Sequence, residues 1–137
     1  MLRRFFQIFC LFAIFSGQAQ AAPIPQDIHA AMLRSFQQAR YGQTSLEAGF
    51  TVSCDGTITD IPSDNQRDAL QMHITATTIA VYHVHPNNSI PEPSQNDITI
   101  ANKYHFLMYT MSRFGVFLYD PSTGKITKVE GNDWFKS

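Results

Sequence analysis

The chain has 137 residues and a formal net charge of −1, enough for one domain and too few for two. With 44% hydrophobic and 15% charged residues, it has the composition of a globular protein that can bury a core. No basic excess points to nucleic acid as a partner, and that disfavours a nuclease.

The first residues read as a leader rather than as part of the fold. Arg3 and Arg4 precede an apolar run from Phe5 to Phe15, broken by Gln7, and small and polar residues then lead to Ala19-Gln20-Ala21. A basic start, an apolar stretch of about ten residues and an A-x-A site define a secretory signal peptide. The run is shorter than the roughly 20 apolar residues a membrane span needs. The expectation is a signal peptide over residues 1–21, cleavage near Ala21, a mature domain over 22–137, and a periplasmic or secreted protein with no membrane span. Cleavage would remove Cys10 and leave Cys54 as the one cysteine, without an internal partner. Such a thiol is expected to be buried and inert.

In chain order, Pro25 to Tyr41 predicts a helix. Ile28, Ala31, Met32, Phe36 and Ala39 recur near the helical period, and Gly42 follows as terminator. Glu47 to Ile61 predicts a hairpin, in which Phe50, Val52 and Cys54 alternate with polar residues before Asp55-Gly56 turns the chain. Pro62 to Asp68 is turn-rich, with a short helix expected at Gln66 to Met72. Thr75 to Tyr82 is β-branched and apolar, the pattern of a central strand. It ends at His83-Val84-His85-Pro86, and a proline-studded loop runs on to Pro93. Ser94 is placed to cap a helix reaching about Phe106. Strands are expected at Leu107 to Met111, Val116 to Tyr119 and Lys125 to Val129. This order predicts a single α/β domain with a mixed sheet flanked by helices.

The chemistry concentrates at His83, His85 and Asp97. Histidines at i and i+2 of a strand point to one face, and imidazole nitrogens bind zinc at about 2.0–2.1 Å. Asp97 adds a carboxylate from the first turn of the following helix. Three protein ligands with one open position is the catalytic arrangement for zinc. Val84, between the histidines, should point into the core on the other face. Each residue also has a plainer reading. The histidines could be structural, Ser94 an N-cap, Asp97 a charge favoured in a helix's first turn, and Glu47 a strand-start residue. Glu92, inside the loop, is a second candidate base. His29, His73 and His105 lack partners at ligand spacing. Phe106, Tyr109, Phe114, Phe117 and Tyr119 read as core, and Trp134 and Phe135 as residues that pack back onto the domain or mark a contact surface.

The pattern H-x-H-P…S-x-x-D with an upstream glutamate resembles that of the JAMM (MPN+, JAB-type) zinc metalloproteases, from Glu47 to about Tyr119. The resemblance implies an MPN-like domain with cytidine-deaminase-like layering and one Zn2+ per chain held by His83, His85 and Asp97. It also implies that Ser94 stabilises the tetrahedral intermediate, that Glu47 is the general base, and that the substrate is a peptide or protein cleaved at an amide or isopeptide bond. Inactive JAMM-like scaffolds are the alternative. Two features depart from the family pattern. The loop from His85 to Asp97 is one residue longer than usual, a small entropic change for a loop, and the segment from Glu47 to His83 is short, leaving no room for the insertions that grip ubiquitin in the larger isopeptidases.

Overall fold

The computed structural model describes residues 26–61 and 74–136. The expected leader, Pro25, the turn-rich segment from Pro62, the helix expected at Gln66 to Met72 and His73 lie outside the described residues.

Helix α1 (Gln26–Gln38) is followed by a tight turn at Arg40–Gly42. Strands β1 (Gly49–Ser53) and β2 (Ile58–Ile61) form the hairpin that the Asp-Gly pair predicts. In its turn the Thr57 N–H donates to the Asp55 carboxylate at 2.9 Å. Strand β3 (Thr78–Val84) leads through the loop to α2 (Gln95–Tyr104), and β4 (Leu107–Ser112), β5 (Gly115–Asp120) and β6 (Lys125–Glu130) complete one sheet. Its order is β2-β1-β3-β4-β5-β6. Only β3 and β4 are parallel, and the other neighbours are antiparallel. The fold is therefore mixed α/β, with β3-α2-β4 as its crossover unit.

Strand β3 differs from its sequence reading at both ends. It begins at Thr78, because the Thr75 hydroxyl and backbone bond to Thr77 and Thr78 and close a local turn. Threonine hydroxyls near their own backbone compete with the ladder in this way. At the other end β3 runs on through His83 and Val84. The Val84 N–H donates to the Ala48 carbonyl at 2.9 Å, and the His85 N–H to the Met111 carbonyl at 2.8 Å. Tertiary pairing thus carries the histidines inside the sheet. Cys54 follows β1 and is half-buried. It is disulfide-bonded in the whole chain, and the lone thiol is the expectation for the chain after cleavage.

The period of two sorts β3 onto two cores. Ala80, Tyr82 and Val84 join Ala31, Met32, Phe36 and Ala39 of α1 in one cluster. Val81 joins Ala101 of α2, Phe106, Met108 and Tyr119 in the other. On the α1 side Phe50, Tyr82 and Tyr109 lie directly across from one another on β1, β3 and β4. Their rings stack at centroid distances of 4.6 and 4.1 Å, a cross-strand ladder that supplies much of that core's area. Trp134 and Phe135 pack back onto Phe36, and the indole N–H donates to the Ser112 carbonyl. Among the described residues no helix is long and apolar enough to cross a membrane.

Candidate metal centre

His83 and His85 sit at the carboxyl end of β3, on the face covered by α2. Helices in a βαβ unit start near the ends of the preceding strands, where crevices for ligands form. Here the start of α2 delivers Asp97 to the two rings. The Asp97 carboxylate lies 3.2 Å from His83 Nε2 through one oxygen and 3.2 Å from His85 Nε2 through the other. All three side chains are buried. Their ligand atoms fall within 4.8 Å of one another, so the group can hold a metal ion.

Each ligand is oriented by a neighbour. Ser94 caps α2, and its hydroxyl accepts from the Asp97 N–H at 3.2 Å. An ionised carboxylate can only accept. The Ser94 hydroxyl proton therefore goes to Asp97 Oδ2, at 2.9 Å, and the Ser94 N–H reaches the same oxygen at 2.8 Å. The capping box doubles as a brace for the ligand. For His85 the brace is the Ile90 carbonyl, 2.8 Å from Nδ1. A carbonyl only accepts, so Nδ1 carries the hydrogen and Nε2 of the neutral ring turns its lone pair to Asp97.

His83 has no such brace. Its Nε2 lies 3.2 Å from Asp97, yet neither ring nitrogen makes a well-formed hydrogen bond. A buried polar atom left unpaired is costly, and in a folded protein it calls for an explanation. A metal ion on Nε2 supplies one. The edge of a tetrahedron around zinc is about 3.3 Å for bonds of about 2.0–2.1 Å, close to the observed His–Asp separations. Two imidazoles and a carboxylate suit a borderline divalent ion.

The electrostatics are those of a paired cluster. Burial works against the Asp97 charge, yet the adjacent His83 and His85 and the Ser94 amide outweigh it and hold the carboxyl well below the usual range. Burial would likewise lower His85. The contacts with Asp97 and the Ile90 carbonyl, and the charges of Asp97 and Glu47, turn the net effect upward.

Glu47 is half-buried, immediately ahead of β1. Gly49 pairs with His83, and the Ala48 carbonyl accepts from Val84, so the register places Glu47 across from His85. Directly opposed residues of an antiparallel pair project to one face, and the Glu47 charge acts on His85 accordingly. Gly49 is part of the arrangement. A Cβ there would collide with the Tyr82 carbonyl and lie 3.0 Å from the His83 Cβ.

The structure thus brings together His83, His85 and Asp97, with Ser94 on Asp97 and Glu47 beside His85. Glu92 lies in the loop and is only half-buried. His29 meets Trp134 edge-on, and His105 ends α2 with a left-handed φ of 58°. Phe106 and Tyr119 are core, whereas Tyr109, Phe114 and Phe117 are half-buried. Sequence reading missed Gly49, Asn87, Ile90 and Thr110. The buried Thr110 hydroxyl donates to the Pro91 carbonyl at 2.7 Å and ties the loop to β4. No sequence signal marks these four, because each meets a partner, or lies close to a backbone, that the fold brings up. No protein-family model matches the chain, and neither the curated proteins nor the solved structures include a significant match.

Proposed function

We infer that the protein is an exported, zinc-dependent amide-bond hydrolase of the JAMM type, acting on a peptide or protein. The observation that carries this reading is His83: a buried imidazole with no hydrogen bond at either nitrogen, facing a carboxylate and a second imidazole. When bound, such a metal supplies Lewis acidity toward a carbonyl and makes water acidic near neutral pH. The chain's own residues then have separable tasks. Asp97 and His85 stay in place because Ser94 and the Ile90 carbonyl hold them. Glu47, across from His85, takes a proton from the attacking water and returns it to the leaving amine, so that amide and water become acid and amine. Glu47 is the better base than Glu92 because its position is fixed by the β1–β3 register.

One observation favours a second reading, a metal-stabilised binding module without catalysis. The Ser94 hydroxyl proton is already committed to Asp97, which leaves Ser94 without a donor for an oxyanion.

The deciding experiment measures bound zinc and amide hydrolysis, with a panel of peptides and isopeptides, in the wild type and Glu47→Gln. Zinc near one per chain in both, with hydrolysis confined to the wild type, is the expected result. Zinc in both and hydrolysis in neither favours the binding module. No zinc in the wild type after a zinc challenge overturns both readings.

A further inference from the structure

Asn87 lies two residues beyond His85 and makes three hydrogen bonds to distant segments. Its backbone N–H donates to the Gly42 carbonyl at 2.8 Å, and its side-chain Nδ2 donates to the Tyr41 carbonyl at 2.9 Å. Its Oδ1 accepts from the Arg113 N–H at 3.3 Å. One side chain thus joins three segments: the loop after His85, the turn at Arg40–Gly42, and the β4–β5 turn. The turn it grips is an unusual one. Arg40, Tyr41 and Gly42 have φ of 51°, 57° and 72°, three left-handed residues in a row. Such a run persists only where its surroundings determine it, and Asn87 provides them, with two bonds to its carbonyls. The fit is close: a Cβ on Gly42 would lie 2.6 Å from Asn87 Oδ1. From that turn a short connection leads to Glu47.

We propose that Asn87 is a positioning residue that clamps the turn before Glu47 to the loop after His85, and so fixes the candidate base and the metal ligand relative to each other. The inference rests on the metal-site reading above. Its physical basis is that Glu47 and His85 lie one position beyond the Val84–Ala48 bond of the β1–β3 pair, with His85 held on its other side by the Met111 carbonyl. Asn87 closes the ladder beyond its last bond. The Thr110–Pro91 and His85–Ile90 bonds fix the far side of the loop, and Asn87 joins its near side to the turn that precedes Glu47.

The test uses cobalt(II), whose visible absorption reports the coordination geometry, titrated into the purified protein and into Asn87→Ala, Asn87→Asp and Gly42→Ala. Asn87→Asp keeps the shape and the acceptor for Arg113 but loses the donor to Tyr41. Gly42→Ala disturbs the clamp from the other side. Expected are cobalt affinities about tenfold weaker in Asn87→Ala and Gly42→Ala, a smaller loss in Asn87→Asp, and an altered cobalt spectrum in all three. A wild type that binds cobalt beside variants with unchanged affinity and spectrum overturns the clamp alone. A fall in thermal stability with an unchanged spectrum also overturns it, since that is what a purely structural asparagine would give. Should Asn87→Ala fail to fold, Asn87→Asp is judged by the same criterion. A wild type that does not bind cobalt overturns the metal reading and the clamp with it.

Discussion

The two faces of β3 are built from alternate residues of one seven-residue strand, yet they do opposite things. Toward α1, Ala80, Tyr82 and Val84 enter an apolar core. Toward α2, Val81 is followed by His83 and then by His85 just past the strand, and the face turns from apolar to polar without leaving the interior. The apolar face is stable with no partner beyond its neighbours. The polar face is stable only if its donors and acceptors are matched, and at His83 they are not. One side of the strand is therefore complete, and the other presents a group that can hold a metal ion.

The largest effect expected from breaking this contrast is that of Asp97→Ala. It should abolish metal binding, measured as metal content after dialysis. In the metal-free state it should cost about 3 kcal/mol by denaturant unfolding, since the buried His85 loses the carboxylate it pairs with and a space opens beside both rings. Acid should approach the same state by titration. Asp97 is depressed in the fold, so its contribution is present above the ordinary carboxylate range and is lost as pH falls through its folded value. His85 is raised, so its contribution is present below its unfolded value and is lost as pH rises through the folded one. Metal-free protein should then be most stable in the mildly acidic range between the two and should weaken above it. With zinc present the alkaline trend should reverse, because protons compete with the metal for imidazole. Melting curves across pH, with zinc and with chelator, check both signs.

On the other face, Val84→Ala should cost about 2 kcal/mol for two lost methyl groups and the space they leave. Metal affinity, measured by titration, should stay within about twofold, as expected when only the opposite face is disturbed. If Val84→Ala costs metal binding as much as stability, the two faces are not independent. Ser94→Ala should have the smallest effect on stability, about 1 kcal/mol for a lost N-cap. It should still weaken metal binding about tenfold, because the brace on Asp97 goes with it. Loss of stability with unchanged affinity would reduce Ser94 to a cap.

The comparison also shows why the site was legible from sequence when its support was not. His83 and His85 are two apart on a strand, and Ser94 and Asp97 three apart at a helix start. Local geometry fixes which way such pairs point before any tertiary contact exists. The elements were legible for the same reason, since hydrophobic period, β-branched runs and the Asp-Gly turn are local signals. The element order emerged as expected, and Val84 faces the core. The start of β3 was misplaced because threonine bonding to nearby backbone competes with a strand that composition alone favours.

The sequence by itself determined the elements, the alternation along β3 and the ligand types, because these follow from chemistry within a few residues. Only the tertiary structure decided that Glu47 lies across from His85, that Gly49 leaves room beside His83, and that Asn87 joins two distant turns. Those relations depend on strand register and loop closure between residues up to 46 apart. No local propensity encodes a distance between segments that meet only when the sheet is assembled.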